Sequence, residues 1–285
     1  MIRNRFAWFL APVCIALLFS SAAHADSHGP AFGLATPTLA EGGWSSDTVA
    51  MSLETSQGTA LMYREMLGYG ITPDLQANLS FPLAQGNTLS LPPRTRFGSM
   101  MGAFQDIEGS LFWRFHRVAP AIGERYESTL LFGVSDGQNS ERDGITVGQG
   151  VNLGAVTGYA SRSVYWWLGG GLQHYFPYDN GRLGDLYYVT AVWGWRPEYF
   201  RHPYPSADWR LFIESLGEVA KRNEIAGQPV LNSGSQKILV GLSVLGLYGA
   251  WGIEAGVLFP VIQSVNGSQP KEDYRAKLDF TYWFD

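Results

Sequence analysis

The chain is poor in cysteine and in charge. Its single cysteine, Cys14, lies within the first 25 residues. The remainder is therefore excluded from a disulfide framework and from thiolate chemistry. Charged residues make up 16%, against a usual ~25%. The 20 Lys and Arg are outnumbered by 25 Asp and Glu, which argues against a nucleic-acid partner, since phosphate neutralisation needs clustered Lys and Arg. A long apolar helix is missing too. The best uncharged run after the first 25 residues, between Lys237 and Glu254, is interrupted by Gly241, Gly246, Gly249 and Gly252, and glycine at this density destabilises a helix interior. What the chain does have is aromatics, at 14%, and 34 glycines. Few charges beside many rings exclude intrinsic disorder and suit a sheet whose outer face meets something other than water.

The first 25 residues read as a targeting segment. Arg3 and Arg5 give a positive start, Phe9 to Ser21 an apolar stretch too short to span a bilayer, and Ala23-His24-Ala25 a small-x-small cleavage site. The expected organisation is a signal peptide over 1–25, cleaved after Ala25, a leader over 26–43, and one domain over 44–285.

That domain alternates with period two. Tyr274, Ala276, Leu278, Phe280, Tyr282 and Phe284 interleave with Arg275, Lys277, Asp279 and Thr281, and Leu75, Ala77, Leu79 and Phe81 with Gln76, Asn78 and Ser80. Twelve such segments are predicted, near 44–54, 60–70, 74–81, 106–117, 125–134, 147–159, 164–175, 186–195, 209–221, 236–245, 251–259 and 274–284. The second is ambiguous, because Arg64 and Glu65 put a charge on both faces. Most are longer than the ~5–6 residues of an average soluble strand and match the ~9–11 of a membrane-crossing one. Connections alternate in length. Outer loops are expected near 55–59, 82–105, 135–146, 176–185, 222–235 and 260–273, and short turns on the other side. Aromatics gather where the strands begin and end, with Tyr63, Phe81, Phe132, Tyr175, Tyr187, Phe259 and Tyr274 expected at the outer edge. The expected fold is all-β: a transmembrane antiparallel barrel of about twelve strands in a cell outer membrane, with short periplasmic turns and longer extracellular loops. Its partners would be outer-membrane lipids, the barrel-assembly machinery and a small-molecule solute.

Several patches on these segments resemble a known family. They are His28-Gly29-Pro30 with Phe32-Gly33-Leu34-Ala35-Thr36-Pro37-Thr38 and Gly42-Gly43-Trp44, then Gly158-Tyr159-Ala160-Ser161-Arg162-Ser163 with Gly169-Gly170-Gly171, and Val244 through Gly252. Together they resemble the MetA-pathway of phenol degradation family of bacterial outer-membrane transporters. The resemblance implies a barrel that moves small, often aromatic or hydrophobic, compounds. It supplies no binding residue.

Motifs for chemistry are weak. Gly133-Val134-Ser135-Asp136-Gly137 has the spacing of a nucleophile elbow, but no helical pattern follows it. Its neighbours Asp136, Asn139, Glu141 and Asp143 lack the order of a calcium loop. Gly148 to Gly154 does not fit a dinucleotide fingerprint, and His28, His116, His174 and His202 are dispersed. No enzyme, metal or cofactor is expected. If the apolar face meets lipid, the other face lines a lumen, with Gln76, Asn78, Glu108, Arg114, Glu127, Asn152, Arg210, Glu214, Glu218, Lys237, Glu254, Arg275, Lys277 and Asp279. Their charges nearly balance, where a charge-selective pore would show one sign. Glycines on this face, at 148, 150, 154, 169 and 171, leave room for another segment. The leader is the segment at hand, with His28, Phe32 and Trp44 as candidate plug or gate residues. The expected function is passage of a small, hydrophobic or aromatic compound through a narrow polar lumen. The alternatives are a closed structural barrel and, behind it, an outer-membrane lipid hydrolase.

Overall fold

The structure is a computed structural model that describes residues 29–87, 106–142, 144–203 and 205–284. The signal-peptide reading, His28 and Asp143 fall outside the described residues. Twelve strands form one closed antiparallel barrel. In chain order they are β1 (Trp44–Thr55), β2 (Gly58–Thr72), β3 (Leu75–Asn87), β4 (Ile107–Val118), β5 (Arg125–Arg142), β6 (Ile145–Ala160) and β7 (Val164–Tyr175). There follow β9 (Leu186–Trp195), β10 (Asp208–Ala220), β13 (Ser235–Tyr248), β14 (Trp251–Val265) and β15 (Glu272–Phe284). Three two-residue strands, β8 (Gly181–Arg182), β11 (Glu224–Ile225) and β12 (Gln228–Pro229), make a small separate sheet. Each barrel strand pairs with its sequence neighbours, and β1 pairs with β15 from Trp44↔Phe284 to Thr55↔Glu272 to close the wall.

Alternation decides which way each strand faces. Along β9 every second residue from Leu186 is buried and every other one exposed. The exposed set forms an apolar wall that includes Leu79, Leu111, Trp113, Leu130, Phe132, Leu168, Val189, Leu211, Ile213, Leu242, Ile253, Leu278 and Phe280. A closed ladder with such a wall meets the condition for crossing lipid, since no backbone group is left unpaired at an edge. Around the end where β1 begins and β15 ends, called proximal below, lie Trp44, Tyr69, Trp209, Trp251, Tyr282 and Phe284; Trp44 stacks on Phe284 with ring centroids 6.3 Å apart.

Three expectations change. The long outer connections over 135–146 and 260–273 are mostly strand: β5 and β6 are 18 and 16 residues long, and β14 reaches Val265. The β5–β6 ladder runs on to Arg142↔Ile145, and the extension of β14 pairs with β13 as far as Ser235↔Val265, so polar residues there are not loop. Tyr175 does not join the outer aromatic edge; it is buried inside the barrel and donates its hydroxyl to Asp106. The ambiguity of β2 is resolved with Arg64 inside, bonded to Ser80 and to the Asp106 carbonyl, and Glu65 on the outer wall. There its carboxylate accepts bonds from Ser46 Oγ (2.5 Å) and Thr48 Oγ1 (2.8 Å). The nucleophile-elbow pattern lies within β5, which continues as strand to Arg142.

The closing seam has a polar clasp. Asp47 on β1 is fully buried and accepts from Thr281 Oγ1 of β15 at 2.6 Å and from Ser45 Oγ at 3.2 Å. Asp47→Ala strips buried hydroxyls of their acceptor and is expected to lower stability by about 1–3 kcal/mol. The check is the urea midpoint of unfolding from lipid vesicles. An unchanged midpoint would contradict a clasp at this seam.

Candidate lumen and inserted segment

The interior of the barrel is filled in three tiers. The distal tier is ionic. Arg275 of β15 is fully buried and its guanidinium meets Glu218 of β10 in a two-pronged pair, with Nη1–Oε1 3.1 Å and Nη2–Oε2 2.9 Å. Its Nε bonds Glu272 Oε1 at 2.8 Å, and Lys237 Nζ of β13 reaches Glu272 Oε2 at 2.8 Å. Two cations and two carboxylates thus form a network on the inner face of the neighbouring strands β10, β13 and β15. Such pairing offsets the cost of removing charges from water only because every member is also hydrogen bonded. Lower in the barrel, Lys277 reaches Glu254 at 3.0 Å and Asp279 at 3.2 Å.

The middle tier is held by chain that has no regular structure. Residues 29–43 precede β1, and Ala31, Phe32, Leu34, Thr36, Thr38 and Leu39 are all buried. Lacking strand partners, this segment pairs its backbone with side chains of the wall, as buried N–H groups must find an acceptor somewhere. Glu214 of β10 accepts three successive backbone N–H groups, Ala31 at 2.9 Å, Phe32 at 2.9 Å and Gly33 at 2.7 Å, and also the Ser243 hydroxyl. Lys277 Nζ donates to the Ala31 carbonyl at 3.0 Å. Further along, Leu34 N bonds Thr190 Oγ1, the Thr36 carbonyl accepts from Thr129, and Trp167 Nε1 donates to Thr36 Oγ1. Leu39 N bonds Gln76 Oε1, and Gly42 and Gly43 pair with Gly70 on β2. Glycines make the space: a Cβ at Gly256 would stand 2.8 Å from the Phe32 ring, and one at Gly169 2.9 Å from Leu34.

Around Phe32 and Leu34 the lumen is apolar. Phe112, Leu131, Val156, Tyr165, Trp167, Tyr188, Val192, Phe212, Leu216, Leu245 and Leu258 pack with them as one buried cluster. This corrects the expectation of a polar lumen throughout. Inward alternation is polar on β15 and β3 and mixes Phe212 and Leu216 with Glu214 and Glu218 on β10. It is mostly aromatic or aliphatic on the first half of β7 and on β9, where both faces are apolar and the sequence pattern is silent about which is wet. The proximal tier returns to charge. Glu127 accepts from Thr36 Oγ1 and lies 3.1 Å from Arg114, 3.6 Å from Arg117 and 3.4 Å from Arg125.

Most of the sequence-derived set is inward and buried: Gln76, Asn78, Glu108, Arg114, Glu127, Asn152, Glu214, Glu218, Lys237, Glu254, Arg275, Lys277 and Asp279. Arg210 is partly buried near the proximal end, its guanidinium 5.4 Å from the Tyr165 ring centroid. Phe32 lies at the centre of the apolar cluster. Trp44 does not: it is 40% exposed on the outer wall, stacked against Tyr69 and Phe284, so it has no part in a gate. Sequence reasoning missed Arg64, Asp47, Asp106, Thr190 and Glu272. Glu272 was assigned to a loop because a register shift between Glu54 and Thr55 breaks the alternation of β15 just there.

The comparisons with known proteins agree with this architecture. Among solved structures, the COG4313 outer membrane channel from Pseudomonas putida F1 superposes with a TM-score of 0.56 at 13% identity, covering 87% of this chain and 98% of that one. The NanC porin gives 0.52 at 7% identity, covering 83% and 98%. These likenesses establish the fold, an outer-membrane β-barrel of the kind that channels and porins use. No protein-family model and no curated protein sequence matches the chain.

The distal network yields a prediction. Arg275→Met leaves Glu218 and Glu272 buried without their guanidinium and is expected to cost about 3–5 kcal/mol, read as a lowered denaturation midpoint. A quadruple variant that adds Glu218→Leu, Glu272→Leu and Lys237→Met should recover most of that loss, because Lys237, which otherwise pairs with Glu272 at 2.8 Å, is then not stranded in turn.

Proposed function

We propose that this protein is an outer-membrane channel for a small hydrophobic or aromatic solute, and that residues 29–42 are its gate. This reading also places it in the phenol-degradation transporter family that its sequence patches resemble. The observation that carries it is the anchorage of the leader by Glu214. Three backbone N–H groups on one carboxylate fix the segment at mid-lumen by side-chain bonds alone, without a covalent or strand connection at that level. Such contacts can be given up singly and replaced by water. The side chains of Phe32 and Leu34 fill a cluster of Trp167, Tyr165, Phe212 and Tyr188. Withdrawn, they would leave a ring-lined space in which a solute of similar shape and polarity is favoured by the same apolar burial. The wall on either side offers paired charges, which hold water and a polar handle without holding an ion of one sign.

Deleting residues 29–42 from the mature chain is expected to raise unitary conductance in planar bilayers at least several-fold over the full chain. Glu214→Ala, which removes the anchor and keeps the segment, should lengthen open events. If the deletion variant is folded and inserted yet conducts no better than the full chain, the gate is elsewhere. If neither protein conducts or admits solute into liposomes, the second reading, a closed structural barrel, replaces the first. The completeness of bonding along the inserted segment is the feature that favours that alternative.

A further inference from the structure

At the proximal mouth, below the inserted segment, a cavity of about 420 Å³ opens between the turn before β5 and the turn after β6. Five guanidinium groups line it, from Arg117, Arg125, Arg162, Arg196 and Arg210, along with the ring of Tyr165. Glu124 is the one acid in that lining, and the carboxylates within ion-pair reach are Glu127, shared by Arg117 and Arg125, and Asp208, 2.6 Å from Arg196 and 3.5 Å from Arg210. In and beside the lining, among the described residues, arginines outnumber carboxylates. The chain as a whole carries −5, so this pocket opposes the sign of its own protein.

Two of the arginines have donors to spare. Arg210 Nε is buried and makes no hydrogen bond, its ion-pair contact being Asp208 Oδ2 at 3.5 Å, while its guanidinium lies over the Tyr165 ring at 5.4 Å. Arg162 is exposed at the rim and crosses Gly123, whose φ of +80° and lack of a side chain let it do so; a Cβ there would stand 2.7 Å from Arg162 Nε. A planar guanidinium presents a fork of N–H donors that matches a carboxylate. Beside the charges the lining is apolar, with Ala121, Ile122 and Ala160 around the ring. A volume of this size lies within the ~300–1,000 Å³ of small-molecule sites and far exceeds what a bare inorganic anion fills.

We propose that this vestibule binds a small organic carboxylate, its charged end on Arg162 and Arg210 and its apolar body against Tyr165. The assignment deepens the channel reading and rests on it for its physiological role: a solute with an aromatic body and one carboxylate would meet the vestibule at one level and the ring-lined lumen at the next. Binding itself requires no conduction. Selectivity follows from placement, because a surplus of positive charge at a mouth raises the local concentration of anions.

The test is binding of benzoate to the folded full-length chain in detergent, by equilibrium dialysis, with benzyl alcohol and inorganic phosphate as competitors. Benzoate should bind saturably, and neither competitor should displace it at equal concentration. Arg162→Gln and Arg210→Gln should each weaken binding at least tenfold. Arg162 touches no buried network, so that variant keeps the test sound if loss of Arg210 disturbs Asp208; heat-modifiable mobility in gels confirms folding. Displacement by benzyl alcohol would make this an apolar site, displacement by phosphate a general anion site, and either overturns the proposal, as does binding unchanged in both variants. A protein that binds benzoate but never conducts loses the channel and keeps this site. One that conducts but does not bind loses only the site.

Discussion

In hydrocarbon no water is present to satisfy a peptide group, so every N–H and C=O of a crossing segment must find its partner in protein. Closure of the sheet between β1 and β15 meets that demand for the wall, and much of the remaining structure follows from it. A closed wall has one face toward lipid, which must be apolar, and one face toward a cylinder of space that twelve strands make too wide for their own side chains to fill uniformly. That space is occupied in two ways here. Ion pairs reach into it distally from β10, β13 and β15, where Arg275, Glu218, Glu272 and Lys237 meet, and a length of chain occupies it below.

The same accounting governs the inserted segment. It enters the barrel without strand partners, and the wall must supply what a ladder would have supplied. Glu214, Thr190, Gln76 and Lys277 are the acceptors and donors that do so. Each of these side chains is polar in a place where lipid-facing residues could not be, which is why the segment is laid inside rather than along the outer surface. Glu65 shows the contrast: a carboxylate on the outer wall has only the hydroxyls of Ser46 and Thr48 beside it among the described residues.

On β2 the charges of Arg64 and Glu65 left the inner face open, but the twelve barrel strands were legible as segments, most of them from alternation, because period two is a direct record of a wall with unlike faces. Their distal ends were not, since β5 and β6 run on into water where neither face need be apolar. The charged half of the lumen was legible for the same reason as the strands: an Arg or Glu between two aromatics can only point inward. The apolar half was not. On β7, Tyr165 and Trp167 face in while Trp166 and Leu168 face out, and no alternation of polarity separates them. The contacts of the leader were beyond reach as well, because a segment of Gly, Pro, Thr and Leu carries no periodicity, and its partners are scattered from Gln76 to Lys277 along the chain. Of the inward glycines read from the sequence, Gly169 was the trace of it, recognisable as space without revealing that Leu34 fills the space.

The position of residues 29–43 immediately before β1 bears on the order of assembly. The segment's hold is divided between β10, through Glu214, and the last strand, through Lys277, while its own end is continuous with the first strand. These three elements come into register only when the first and last strands have met. The internal contacts are thus a record that the cylinder is complete, and a half-built sheet would leave the segment before β1 without them.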